Sequence, residues 1–205
     1  DLAEGKKLLP DPPIASIGYQ ASIVITPQQE ADIDIKATLN NLLIPYTSNY
    51  AGTLLPGIRE YTVTPGEKTT TISGKGKAGL KQEENYYFFY LPVCYKGITG
   101  KSYAYYNTSR SKNLYLPASV DENYSYDIQL PENLTLCTPI QEKKIDNPIG
   151  SFKITLTSEG SSLHIELALQ IKKQLITPAE YPAFRSLITE WTDRTRKPIL
   201  FKTVQ

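Results

Sequence analysis

The sequence predicts an all-β fold, an antiparallel β-sandwich with one C-terminal α-helix, and three observations carry that prediction. Apolar and polar residues alternate position by position in several stretches, the period of a strand with one buried face. Pro and Gly punctuate the chain between those stretches. Only the segment after Thr177 repeats its apolar residues at helical spacing.

Taken in order, residues 1–13 end in Asp11-Pro12-Pro13 and read as a linker or the tail of a preceding domain, and residues 14–205 read as one β-sandwich domain, with 110–118 as the place for a subdivision. Ala21, Ile23 and Ile25 alternate with Ser22, Val24 and Thr26, and after Pro27 the pattern resumes with Ile33, Ile35, Ala37 and Leu39. That predicts a hairpin with one wet face. Further strands are expected at 59–64, closed by Pro65-Gly66, and at 69–73. Residues 86–126 then form an aromatic belt with ten of the fifteen tyrosines, and its strands are expected at 86–91, 102–107, 113–116 and 124–130. Tyr124, Tyr126, Ile128 and Leu130 share a face before Pro131 ends the last of them.

Residues 151–202 are the most regular. Phe152, Ile154 and Leu156 alternate with Lys153, Thr155 and Thr157, and Ser158-Glu159-Gly160-Ser161 turns the chain into a long strand carrying Leu163, Ile165, Leu167, Leu169 and Ile171. Thr177-Pro178-Ala179-Glu180 has capping-box chemistry. Tyr181, Phe184, Leu187, Ile188 and Trp191 follow at helical spacing, although Pro182 allows a start one turn later. The helix ends before Pro198, and Ile199-Leu200-Phe201 is expected to return to a sheet edge.

Composition excludes more than it assigns. The chain has 205 residues, 40% hydrophobic and 21% charged, which is enough to bury a core. A formal net charge of +1 with no basic stripe gives no case for nucleic acid. No apolar run approaches the roughly 18 residues of a membrane span. Cys94 and Cys137 stand at no motif spacing, and a disulfide and two buried thiols suit them equally. The sequons at Asn107, Asn123 and Asn133 read as exposed turns.

One histidine limits the catalytic chemistry. The alternation puts His164 on the wet face, two residues from Glu166, so a solvent-facing or cross-strand-paired imidazole is expected, and an enzyme built on His164, Glu166 and a nearby acid is the third reading. Neither cysteine has a helix behind it to lower its pKa, so no catalytic residue, metal ligand or cofactor site is assigned. Gly74-Lys75-Gly76-Lys77-Ala78-Gly79 matches G-x-G-x-x-G but lacks the helix that would cradle a phosphate, and it reads as a basic hairpin loop. The aromatic belt supplies the candidate ligand or partner surface, Tyr103, Tyr105, Tyr106 and Arg110, since a tyrosine ring offers an apolar body and a polar tip.

The stretches Thr108-Ser109-Arg110 to Leu116-Pro117, Tyr124 to Pro131, Gly150-Ser151-Phe152 and Pro178 to Arg185 occur in an order that resembles a known family. It is the C-terminal β-sandwich domain of unknown function in bacterial transglutaminase-like, cysteine-protease-like multidomain proteins. The resemblance covers residues 107–202, with the first hundred matching loosely as upstream strands. It implies a non-catalytic accessory or interaction domain, because the family's Cys-His-Asp core is not in this chain. It also implies a neighbouring catalytic domain of the same polypeptide as partner, and export to the periplasm or cell surface. A carbohydrate- or peptide-binding module using the tyrosine-rich face is the alternative.

Overall fold

Strict alternation builds the longest elements of the computed structural model, which describes residues 13–40, 58–92, 109–193, 195 and 198–204. Strand β1 (Ile14–Ile25) buries Ile17, Tyr19, Ala21, Ile23 and Ile25 while the residues between them face outward or stay half-buried. It folds back on β2 (Glu30–Asn40) as the predicted hairpin, with Ile25 opposite Ala31. In the turn, the Thr26 amide donates to the Glu30 carbonyl at 2.7 Å, and Gln29 takes a left-handed conformation at φ 59°. Strands β3 (Ile58–Pro65) and β4 (Thr69–Gly79) extend this sheet, β4 lying between β2 and β3.

Gly74–Gly79 is the second half of β4 rather than a hairpin loop. Its lysines point outward and pair across the ladder, Lys75 with Asp34 at 3.3 Å and Lys77 with Asp32 at 3.1 Å. Cross-strand charge supplies the pairing that apolar side chains supply elsewhere.

Strand β8 (Ser119–Gln129) lies beside β1 and runs parallel to it, from Ile14 opposite Ser119 to Val24 opposite Gln129. Among the described residues every other strand pair is antiparallel, so the sheet is mixed at this seam. Alternation fixes which face a residue occupies and leaves strand direction open. Strands β12 (Ser162–Ile171), β11 (Gly150–Glu159) and β10 (Gln141–Asn147) complete eight strands in the order β10-β11-β12-β8-β1-β2-β4-β3. Asn123 sits within β8 as an exposed strand residue, not in a turn.

A second sheet has the order β5-β6-β14-β9, from β5 (Lys81–Glu83), β6 (Tyr86–Tyr90), β9 (Leu134–Leu136) and β14 (Pro198–Thr203). Strand β14 is therefore interior to that sheet and not at its edge: Ile199 to Phe201 pair with β6 on one side, and Phe201 also pairs with Leu136 of β9 on the other. A short ladder joins β7 (Leu114–Tyr115) to β13 (Leu175–Ile176). The predicted strand at 102–107 lies outside the described residues.

The helix α1 (Tyr181–Trp191) starts at the later of the two expected points, with Pro182 in its first turn, where a missing amide costs nothing. The capping-box residues close the turn before it. The amide and hydroxyl of Thr177 both donate to Glu180 Oε2, at 3.1 and 3.0 Å. One core cluster takes the inner faces of both sheets and the helix residues Phe184, Leu187 and Ile188. Each fully buried Phe or Leu contributes about 1.5–3 kcal/mol. Tyr19 packs between Tyr124 and Tyr126 across the parallel seam, at ring distances of 5.4 and 5.7 Å. The Tyr126 hydroxyl donates to the Pro92 carbonyl at 2.6 Å.

Candidate functional site

The outer face of the large sheet carries its polar side chains in cross-strand rows. In one row Asp34, Ser22, Asp127 and His164 stand opposite one another on β2, β1, β8 and β12. His164 Nδ1 meets Asp127 Oδ1 at 2.7 Å, and Nε2 stands 3.6 Å from Glu166 Oε1. Glu166 in turn receives Lys153 Nζ at 2.6 Å. Charge alternates along this chain of side chains, so each stabilises the next.

The hydrogen bond to Asp127 raises the His164 pKa above 6.5, against a smaller opposing effect of burial, and Glu166 adds to the rise. Lys153 holds the Glu166 carboxyl below the usual range. Beside the histidine is a shallow depression of about 640 Å3, bordered by Ser22, Asp127, Thr157 and Ser162. The arrangement sets one imidazole between two carboxylates. The Ser162 hydroxyl at the border of the depression is donated to Gln129 Oε1 at 2.9 Å. No group of three or more His, Cys, Asp or Glu among the described residues is arranged to ligate a metal.

Tyr103, Tyr105 and Tyr106 lie outside the described residues, as does Cys94. Arg110 is described and exposed, its guanidinium 5.9 Å above the Tyr181 ring. Cys137 is a free, half-buried thiol just beyond β9, with no helix following.

The described part of the aromatic belt divides between two environments. Tyr87, Phe89, Tyr124 and Tyr126 are core residues, whereas Tyr86, Tyr90 and Tyr115 are exposed. Tyr86, Phe88 and Tyr90 share the outer face of β6, where Lys81 Nζ sits 5.3 Å from the Tyr90 ring. A second depression, of about 450 Å3, opens between α1, Ile145 and the Ser109-Arg110 segment. Sequence reasoning missed Asp127 and Arg185, a member of this second depression. Only the register of β8 on β12 brings Asp127 to His164. The exposed stripe of α1 was the one signal for Arg185.

Residues 85–201 match the model of a family described as a domain of unknown function with solved structure, DUF3858. Among solved structures, a protein of Parabacteroides distasonis ATCC 8503 described as a "putative protease" is similar, with 31% identity and a TM-score of 0.53. The match covers 60% of this chain and 24% of that one. No curated protein matches. No helix among the described residues is long and apolar enough to cross a membrane. With more than half of its residues inside the family match, the chain belongs to the DUF3858 family.

Proposed function

We propose that this chain is a non-catalytic accessory and interaction domain of an exported bacterial protein whose chemistry resides in a transglutaminase-like or protease-like core, at the periplasm or cell surface. The observation that carries the reading is the match to a segment making up 24% of the Parabacteroides distasonis protein, at 31% identity. A segment of that size is a module beside other modules. The placement of His164 supports it, since the only imidazole of the chain is committed to Asp127 on a sheet surface.

The test is to delete the matched segment from that protein and follow both stability and turnover of casein and a glutaminyl peptide. Turnover is expected to survive in the remainder with altered efficiency. Turnover by this chain alone, abolished by His164→Gln, would overturn the reading.

A second reading is favoured by the β6 row. Tyr86 and Tyr90 are 43% and 53% exposed, flank the half-buried Phe88, and present rings spaced by two residues, a stacking platform for sugar rings or a peptide. A glycan and peptide array with Tyr86→Ala and Tyr90→Ala variants tests it, and binding unchanged by both substitutions excludes it.

A further inference from the structure

We infer that the depression between α1 and the Ser109-Arg110 segment binds an acidic side chain of a polypeptide partner, which deepens the interaction-domain reading and rests on it. Arg110 and Arg185 both line this depression, and both side chains are exposed. Among the described residues neither guanidinium meets a carboxylate. The acids of the same helix region are already engaged, Glu180 with Lys173 and Glu190 with Lys143 at 2.5 Å. Two arginines are thus left with their donors unused beside one cavity. A guanidinium matches a carboxylate in shape and in charge.

The rest of the lining decides between classes of anion. Tyr181, itself 3% exposed, forms an apolar wall with Pro178, Pro182 and Ile145, while the Ser186 and Thr189 hydroxyls stand nearby. A ligand filling this space needs an anionic head and an apolar body. An Asp or Glu with an apolar neighbour supplies both. A membrane surface would need a broad cationic face, whereas here Glu190, paired with Lys143, lines the same depression as the arginines. Arg110 already lies over the Tyr181 ring, 5.9 Å from its centroid, so part of the site is in place before a partner arrives.

Acetyl-Leu-Glu-Leu-amide, titrated into the 205-residue chain and followed by amide chemical shifts, tests the inference. Shifts are expected at Arg110 and along 181–190, with affinity at least about ten-fold weaker for the Gln analogue of the peptide. Arg185→Gln, at an exposed position of the helix, is expected to weaken binding about five-fold or more, and Arg110→Gln likewise. Equal shifts for the Glu and Gln peptides overturn the inference, as do unchanged affinity in both variants and tighter binding of inorganic phosphate or phosphatidylglycerol vesicles than of the peptide. If the peptide fails while deletion of the matched segment from the Parabacteroides distasonis protein still alters turnover efficiency, the cleft is refuted and the accessory role stands. If the peptide binds and the deletion changes nothing, the reverse holds.

Discussion

Gly150 opens β11 with its backbone against β12, and a methyl group there has no room. A Cβ built at Gly150 falls 1.8 Å from the Gln170 carbonyl oxygen and 2.8 Å from its carbon, where real Cβ atoms keep at least 3.0 Å. Gly150→Ala must therefore part the two strands by more than an ångström at a point where Gly150 faces Ile171. The Lys172 amide donates to the Ile149 carbonyl at 2.8 Å, and the Ile149 amide to Asn147 Oδ1 at 2.9 Å. Asn147 also ties this corner to the helix through the Ala183 carbonyl, at 3.1 Å. Losing two or three such bonds at about 1 kcal/mol each, with some packing around Phe152, gives a destabilisation of about 2–4 kcal/mol. For a chain of this length that lowers Tm by roughly 4–16 °C. Urea unfolding with an unchanged m-value measures it. Two controls separate sterics from other glycine effects. Gly18 has nothing within 4 Å of a built Cβ, so Gly18→Ala is expected to be neutral or slightly stabilising. Gly160 also has open space but φ +58°, so Gly160→Ala is expected to cost about 1–2 kcal/mol. A Gly150→Ala loss no larger than that of Gly160→Ala would refute the close approach.

Glu180, depressed to about 2 by Lys173 and by both Thr177 donors, contributes stability that is full above its ordinary 4.5 and disappears as pH falls through about 2. Glu180→Gln is expected to flatten the urea midpoint between those limits, and an unchanged acid slope would contradict this. His164 has the opposite sign: its contribution is full below 6.5 and fades as pH rises through the raised folded value. An NMR titration is expected to place the ring above 6.5 and to bring it back toward 6.5 in Asp127→Asn; a midpoint at or below 6.5 in the parent chain excludes the pairing. Tyr126→Phe removes the donor to the Pro92 carbonyl and is expected to cost about 1–3 kcal/mol in urea unfolding, with a change below about 0.5 kcal/mol counting against a buried bond.

Much of the fold was legible because one-sided burial writes itself into a strand with period two. The buried faces of β1, β2, β11, β12 and the second half of β8 are the ones that the alternation of Ile, Leu, Phe and Tyr marks out. Strand β10, with sequence Gln-Glu-Lys-Lys-Ile-Asp-Asn, carries no such mark because it is an edge whose residues are all exposed or half-buried. The second half of β4 hides for a related reason. Its inward positions are Gly74, Gly76 and Ala78, and its outward lysines are informative only once Asp32 and Asp34 are known to lie opposite. At the candidate sites, the wet face of His164 was readable from one strand alone. Its partner was not, since Asp127 lies 37 residues earlier and reaches it through strand register. Arg110 above Tyr181 likewise depends on packing between segments distant in sequence.

The parallel seam has a consequence for how the polar face is assembled. The family match begins at residue 85, and β8 falls inside it with β12 on one flank. The other flank is filled by β1, whose Tyr19 ring lies against both Tyr124 and Tyr126 on the core side. Burial of those three rings, 1%, 2% and 0% exposed, couples the strands before residue 85 to the matched ones energetically, at about 0.5–1.5 kcal/mol per ring pair beyond area burial. On the opposite side of the same two strands, Ser22 and Asp127 stand in one row with Asp34 and His164. The surface carrying the only histidine is therefore composite, drawn half from the matched residues and half from those before them. A partner reading His164 and Asp127 meets Ser22 and Asp34 in the same footprint. The Arg110 and Arg185 cleft is assembled only from residues inside the match, so a recognition property shared across the family is expected at the cleft, and one particular to this chain on the sheet face.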